Sequence, residues 1–149
     1  MSMRFKPAGV AGFTLVELLV TMVVAAILLS IAVPTYTSQV RRSRRTEART
    51  AVLDLATREE RYYSVNNSYS QVAADLGYGT DTGQILNLAV GNGYYQVTVT
   101  ATAAIPPAPA SFSVVATAIG AQAKDTSCLT FKVDQTGAQT STPATDCWN

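Results

Sequence analysis

Few side chains in this sequence are placed to do chemistry, and the first is a single carboxylate. Glu17 is the one charge in the 21-residue apolar run Phe13–Val33. A carboxylate inside lipid costs about 2.5–3.5 kcal/mol on insertion scales, so intramembrane charges are usually partnered. Glu17 therefore either reaches headgroups from near a helix end or pairs with a positive group in another copy of the chain. A second candidate is the cluster Arg41, Arg42, Arg44 and Arg45. Clustered cations are the footprint of phosphate binding. Here they follow directly on the apolar run, which favours a solvated stretch beside headgroups. The third is the pair Cys128 and Cys147, the only thiols. They lack the C-x-x-C spacing of a redox centre.

Composition narrows the chemistry further. The chain of 149 residues is 48% apolar and 14% charged, below the share of about 25% usual for a globular domain. It has no histidine. That excludes a Cys/His zinc site and any Ser-His-Asp or Cys-His centre within one chain. Neither a cofactor nor a metal site is expected, and catalysis is not. Asp125, Asp134 and Asp146 are too scattered along the chain to claim a calcium site. Net charge is +1 but unevenly laid out. Residues 41–61 carry seven arginines against four carboxylates, a balance of +3, and residues 62–149 carry two lysines against five aspartates, a balance of −3.

The elements that must position these groups begin with the apolar run. As a helix it would reach roughly 31 Å, about the thickness of a bilayer core. A buried core helix would show a polar stripe, and Thr14, Glu17, Thr21 and Ser30 make only a weak one. A secretory signal core of about 7–15 residues is shorter than this run. Arg4 and Lys6 before the span favour a cytoplasmic start, while the arginines after it oppose that orientation. Pro34 removes a backbone donor and predicts a kink. The helical pattern then resumes, with Ala48, Ala51, Val52, Leu55, Ala56 and Tyr62 on one face. Asp54 and Arg58 form an i,i+4 pair on a wetter side. Asn66-Asn67-Ser68 is a stop signal. One long helix from about Thr14 to Val65, bent near Pro34, is predicted.

Gly12-Phe13-Thr14-Leu15-Val16-Glu17 after a short basic leader resembles the type III signal of type IV pilins and pseudopilins. The resemblance implies that a prepilin peptidase cuts between Gly12 and Phe13 and that the new Phe13 terminus is methylated. It implies that Glu17 meets the N-terminal amine of a neighbouring subunit in a filament, and that the chain inserts with its leader in the cytoplasm. Glu60-Arg61-Tyr62-Tyr63 through Asn66 and Ser68 to Tyr69 is similar to the stretch closing the long helix in PilE-type minor pilins. Cys128-Leu129-Thr130-Phe131-Lys132-Val133-Asp134, ending in Cys147-Trp148, resembles their C-terminus. The middle of the chain, 70–110, is unmatched.

The implied fold is α+β, the type IV pilin fold. Its segments are a cleaved leader at 1–12, a transmembrane assembly helix at 13–33, an amphipathic helix at 34–66 and a β-sheet head at 67–149. Three stretches in the head alternate with period two: Tyr94–Thr102, Ser111–Ile119 and Cys128–Asp134. Residues 70–93 read as a glycine-rich loop with one short strand, its apolar residues Ile85, Leu86, Leu88 and Val90. Pro106, Pro107 and Pro109 place Ala103–Ala110 outside the ladder. Asp134-Gln135-Thr136-Gly137 reads as a turn. An exported chain meets an oxidising compartment, so a Cys128–Cys147 disulfide is expected, as the pilin resemblance also implies. Its loop would be worth roughly 3 kcal/mol on the chain-entropy model and would fix an otherwise polar tail.

The function implied is a structural minor subunit of a type IV pilus, acting in assembly or priming and so in twitching motility, adhesion or DNA uptake. The alternatives are a pseudopilin of type II secretion and a pilin whose head captures DNA. Expected partners are other pilin subunits, the prepilin peptidase, the pilus assembly machinery and the inner membrane. DNA is allowed but not favoured, because the head carries negative charge. The expected location is the inner membrane before assembly and the cell-surface pilus afterwards.

Overall fold

The computed structural model describes residues 12–79 and 86–148. The leader stretch 1–11, with Arg4 and Lys6, and the loop positions Gly83 and Ile85 lie outside the described residues. Helix α1 spans Leu15–Asn66. Residues up to Gln39 and residues from Val40 onward form two compact units, each taken in turn.

In the first unit every described residue is exposed. It is helical from Leu15 and remains so through Pro34. Its few hydroxyls are satisfied locally. Thr21 Oγ1 donates to the Leu18 carbonyl at 2.9 Å and Ser30 Oγ to that of Ile27 at 2.7 Å. Such back-bonding lets a hydroxyl sit in an apolar stretch without an orphan donor.

The second unit builds a core on the remaining part of α1. Ala48, Val52, Leu55 and Glu59 are its buried residues, spaced by four, three and four. The helix stops where Asn67 adopts a left-handed φ of 52° and its N–H bonds the Tyr63 carbonyl at 2.8 Å. Asparagine tolerates that conformation better than most residues, so the stop signal acts through its second asparagine.

Five strands follow: β1 (Asn87–Val90), β2 (Tyr95–Thr102), β3 (Ser111–Ala118), β4 (Cys128–Asp134) and β5 (Gln139–Pro143). They form one antiparallel sheet in sequence order. In β2 and β3, Tyr95, Val97, Val99, Phe112, Val114, Ala116 and Ala118 are buried and pack in one cluster with Val52 and Leu55. Gly91, Asn92 and Gly93 all take positive φ in the β1–β2 turn. At Gly91 an added Cβ would stand 3.0 Å from Glu47 Oε2, so the turn needs glycine twice over. The Ala-Pro loop lies between β2 and β3, closed by a bridge from Ile105 to Ala108.

One strand was not expected. The polar tail forms β5, whose burial is confined to Ser141. An edge strand with a single buried side chain leaves no alternation in the sequence to read. Cys128 and Cys147 are disulfide-bonded, with Cα atoms 5.9 Å apart. Phe131 meets the Trp148 ring edge-on at 5.6 Å, and Trp148 Nε1 donates to the Thr140 carbonyl at 2.8 Å.

Candidate functional site

The start of α1 is built from local chemistry. Thr14 precedes the helix, and its Oγ1 accepts the backbone N–H of Glu17 at 3.2 Å. That satisfies one of the orphan donors of the first turn. Threonine followed three residues later by glutamate is the capping-box spacing, and half of that box is formed. A carboxylate in the first turn also meets the positive end of the helix dipole. The cap bond uses the Glu17 backbone N–H, so the Glu17 carboxylate acts on the helix start through the dipole; the Thr14 cap was not part of the sequence reading although T-x-x-E was visible. Gly12 is exposed, and a Cβ there would meet nothing within 4 Å. Among the described residues, nothing packs where a side chain at that position would stand. Phe13 is 79% exposed.

The arginine cluster is less wet than its composition suggests. Arg45 donates to Asp125 twice, Nε to Oδ2 at 2.6 Å and an Nη to Oδ1 at 2.5 Å. This hydrogen-bonded pairing raises the Arg45 pKa above its ordinary value. Asp125 also accepts from Gln122 Nε2 at 3.0 Å, and the same amide reaches the Tyr95 hydroxyl at 3.3 Å. Tyr95 in turn donates to the Cys128 carbonyl at 3.4 Å. The chain of contacts therefore runs from α1 through the short 3-10 helix Gly120–Lys124 to the disulfide. The Arg44 guanidinium lies 3.3 Å over the centre of the Tyr94 ring. Arg49 bonds the Trp148 carbonyl at 2.8 Å. The expectation of a purely solvated stretch is corrected at these three positions: long arginine side chains lie back on the head and find acceptors there. A cleft lined by Arg42, Arg45, Arg49, Ser127 and Asp146 opens beside the disulfide.

The segment after α1 is held from two sides. On the outer side, Asp54 Oδ2 accepts from Arg58 Nε at 2.8 Å and from the Tyr78 hydroxyl at 2.7 Å. These donors lower the Asp54 pKa, the tyrosine first and Arg58 next. Burial, and then the bond to Asp54, push Tyr78 up to about 12. The predicted Asp54–Arg58 pair is thus part of a triad. On the inner side lies Glu59, fully buried, accepting the Ser70 N–H at 3.1 Å. Burial pushes its carboxyl up to about 7. The sequence reading counted Glu59 as a charge and missed its position; the spacing from Ala48, Val52 and Leu55 was the signal.

Asp125 and Asp134, too scattered in sequence to claim a calcium site, serve separate local roles. Asp125 pairs with Arg45, and Asp134 caps its own turn through Thr136 and Ala138. No group of side chains that could hold a metal occurs among the described residues.

A long apolar helix in the first unit and a helix-backed antiparallel meander closed by a C-terminal disulfide in the second define a type IV pilin. Residues 34–132 match the family model described as type IV minor pilin ComP, DNA uptake sequence receptor. Residues 8–33 match the prokaryotic N-terminal methylation motif. The chain belongs to this type IV minor pilin family, whose members are structural subunits of the pilus. Over 80 residues it is 34% identical to the type IV major pilin protein PilA of Myxococcus xanthus, strain DK1622. That alignment spans 54% of this chain and only 36% of the length of the relative. A solved type IV pilin from Shewanella oneidensis is 26% identical, with 73% of this chain and 98% of that chain covered and a TM-score of 0.49.

Proposed function

We propose that the chain is a minor subunit of a type IV pilus that is cleaved, methylated and then inserted into the fibre through its apolar helix. The observation that carries this reading is the first unit itself, in which every described residue is exposed although the sequence is apolar all round. Such a surface needs lipid or other copies of itself for cover. Before assembly the inner membrane supplies it, and in the fibre the neighbouring helices do. Gly12 supports the cleavage step, because a glycine against which no described residue packs is suited to an enzyme that reads the scissile bond. A cut after Gly12 creates an amine on Phe13, the cation that Glu17 of an adjacent subunit would meet. Pro34, which cannot donate to the carbonyl one turn before it, is where the helix would bend. The test is the sheared surface fibre. The protein should be present there with Phe13 as its first residue, and its confinement to the membrane would overturn the reading.

A second reading, capture of DNA by the head, is favoured by the description of the family model and by the cleft at Arg42, Arg45 and Arg49. Asp125 and Asp146 offset part of that charge. Binding of duplex DNA to the full chain in detergent would decline steeply with salt if the arginines meet phosphates. Replacing Arg42 by alanine would then reduce both affinity and the salt slope.

A further inference from the structure

Glu59 is an acid where an anion does not belong. It is fully buried on the core face of α1, between Leu55 and Tyr62 in sequence. One carboxyl oxygen accepts the Ser70 N–H at 3.1 Å. The other, Oε1, has no partner among the described residues. The charged groups acting on it are Glu60 on its own helix and Asp75 on the packed segment, both anionic. Its titratable neighbours are Tyr62 and Tyr69, which remain neutral over the ordinary range. Arg58, one residue before, is committed elsewhere, to Asp54 and to the Leu76 carbonyl at 3.0 Å. An ion in this position would lack both solvation and a counter-charge, whereas the neutral acid loses far less on burial.

The segment that Glu59 holds is also specific. Ser70 is its anchor: the N–H goes to Glu59, the hydroxyl donates to Asp75 Oδ2 at 2.6 Å and accepts from the Val72 N–H at 3.0 Å. Beyond it, Leu76 is buried in the core, and the Gln71 carbonyl accepts the Leu86 N–H at 2.8 Å. Tyr69 stacks on Tyr63 at 4.6 Å and meets Phe112 edge-on at 4.7 Å. Freeing Ser70 would loosen the contacts of residues 69–75 together.

We propose that Glu59 is a proton-dependent latch: as a neutral acid it holds residues 67–75 against α1, and its ionisation releases them. The raised pKa of about 7 places the change near neutrality. The sign follows from linkage. The closed state binds the proton more tightly than the open one, so closure is strongest below the ordinary glutamate range. It weakens as pH rises toward the raised value and levels off above it. The Asp54 triad has the opposite dependence and keeps Tyr78 on α1 at high pH, as Arg58 keeps the Leu76 carbonyl, so release stops short of Leu76.

The test is hydrogen exchange on the full chain in detergent, corrected for the intrinsic rate, at pH 5.5 and 8.5. Protection of segment 67–75 in the wild type should fall by roughly tenfold or more between the two, with β3 and β4 unchanged. Glu59→Gln, which stays neutral, should show less than a threefold change. Equal pH dependence in both proteins would overturn the proposal. Independently of any variant, a flat wild-type profile would overturn it, as would absence of a protonated-carboxyl infrared band at pH 5.5 that disappears by pH 8.5.

Discussion

Arg45 grips Asp125 through two hydrogen bonds of 2.6 and 2.5 Å, joining α1 to the end of the 3-10 helix across 80 positions of sequence. Asp125 is almost wholly buried, whereas Arg45 keeps a quarter of its side-chain surface in water. Removing the arginine would strand the carboxylate. Arg45→Ala should therefore destabilise the head by on the order of 3 kcal/mol, the low end for a broken buried pair. Urea unfolding of the two proteins measures it. A change within about 0.5 kcal/mol would mean that Asp125 is held by Gln122 alone.

Loss of the disulfide should act on the last strand. Cys128 and Cys147 close a loop across a sequence separation of 19, β5 lies on that loop and Trp148 follows directly after it. Cys147→Ser should cost about 3 kcal/mol. The wild type with reductant should unfold at the same urea concentration as the variant without it. A reductant effect in the variant would show that another reaction contributes.

Asp54 gives an acid-limb prediction. Donors from Tyr78 and Arg58 lower its pKa, so its contribution is present above the ordinary aspartate range and is lost as pH falls through the lowered folded value. About half of each side chain in the ion pair is exposed, so the effect should stay below about 1 kcal/mol. Asp54→Asn and the wild type should differ at neutral pH, begin to approach each other below the ordinary aspartate pKa and converge below the lowered folded value. A constant gap down to strong acid would show that packing of Tyr78, not charge, is responsible.

Cleavage should depend on the size of residue 12. Gly12→Val disturbs no contact among the described residues, since a Cβ there meets nothing within 4 Å. Insertion should be unchanged while the leader stays attached. Mass spectrometry of the membrane fraction reads both. Efficient production of a Phe13 terminus from the variant would remove the argument for an enzyme that selects glycine.

The sequence revealed what rests on periodicity. The long helix, its Asn67 stop and the inward faces of β2, β3 and β4 follow from spacing, because burial on one face is written every two residues or every three to four. It concealed what rests on a distant partner. Neither Arg45 nor Asp125 signals the other, and an arginine cluster looks solvated until its acceptors are folded against it. β5 carries too little burial to alternate. Glu59 was concealed for a different reason: its type argues for the surface and its spacing for the core, and the spacing prevails because Ser70 supplies one bond and protonation removes the charge. In the functional part, Gly12, Phe13 and Glu17 stood out as a motif, but the Thr14 cap was overlooked beside it.

Glu17 offers the most direct measurement of the fibre role. Two explanations of its carboxylate, helix capping and pairing with a neighbour's Phe13 amine, separate in Glu17→Gln. Glutamine suits the capping box equally well and has no charge to pair. Both Glu17→Gln and Glu17→Val should insert and be cleaved normally. The quantity to measure is the ratio of protein in sheared fibres to protein in the inner membrane. It should fall at least tenfold in both variants, given the cost of leaving one partner of a buried pair alone, about 3–5 kcal/mol. A wild-type ratio in Glu17→Gln would contradict charge pairing in the fibre and leave Glu17 as the residue that starts the helix.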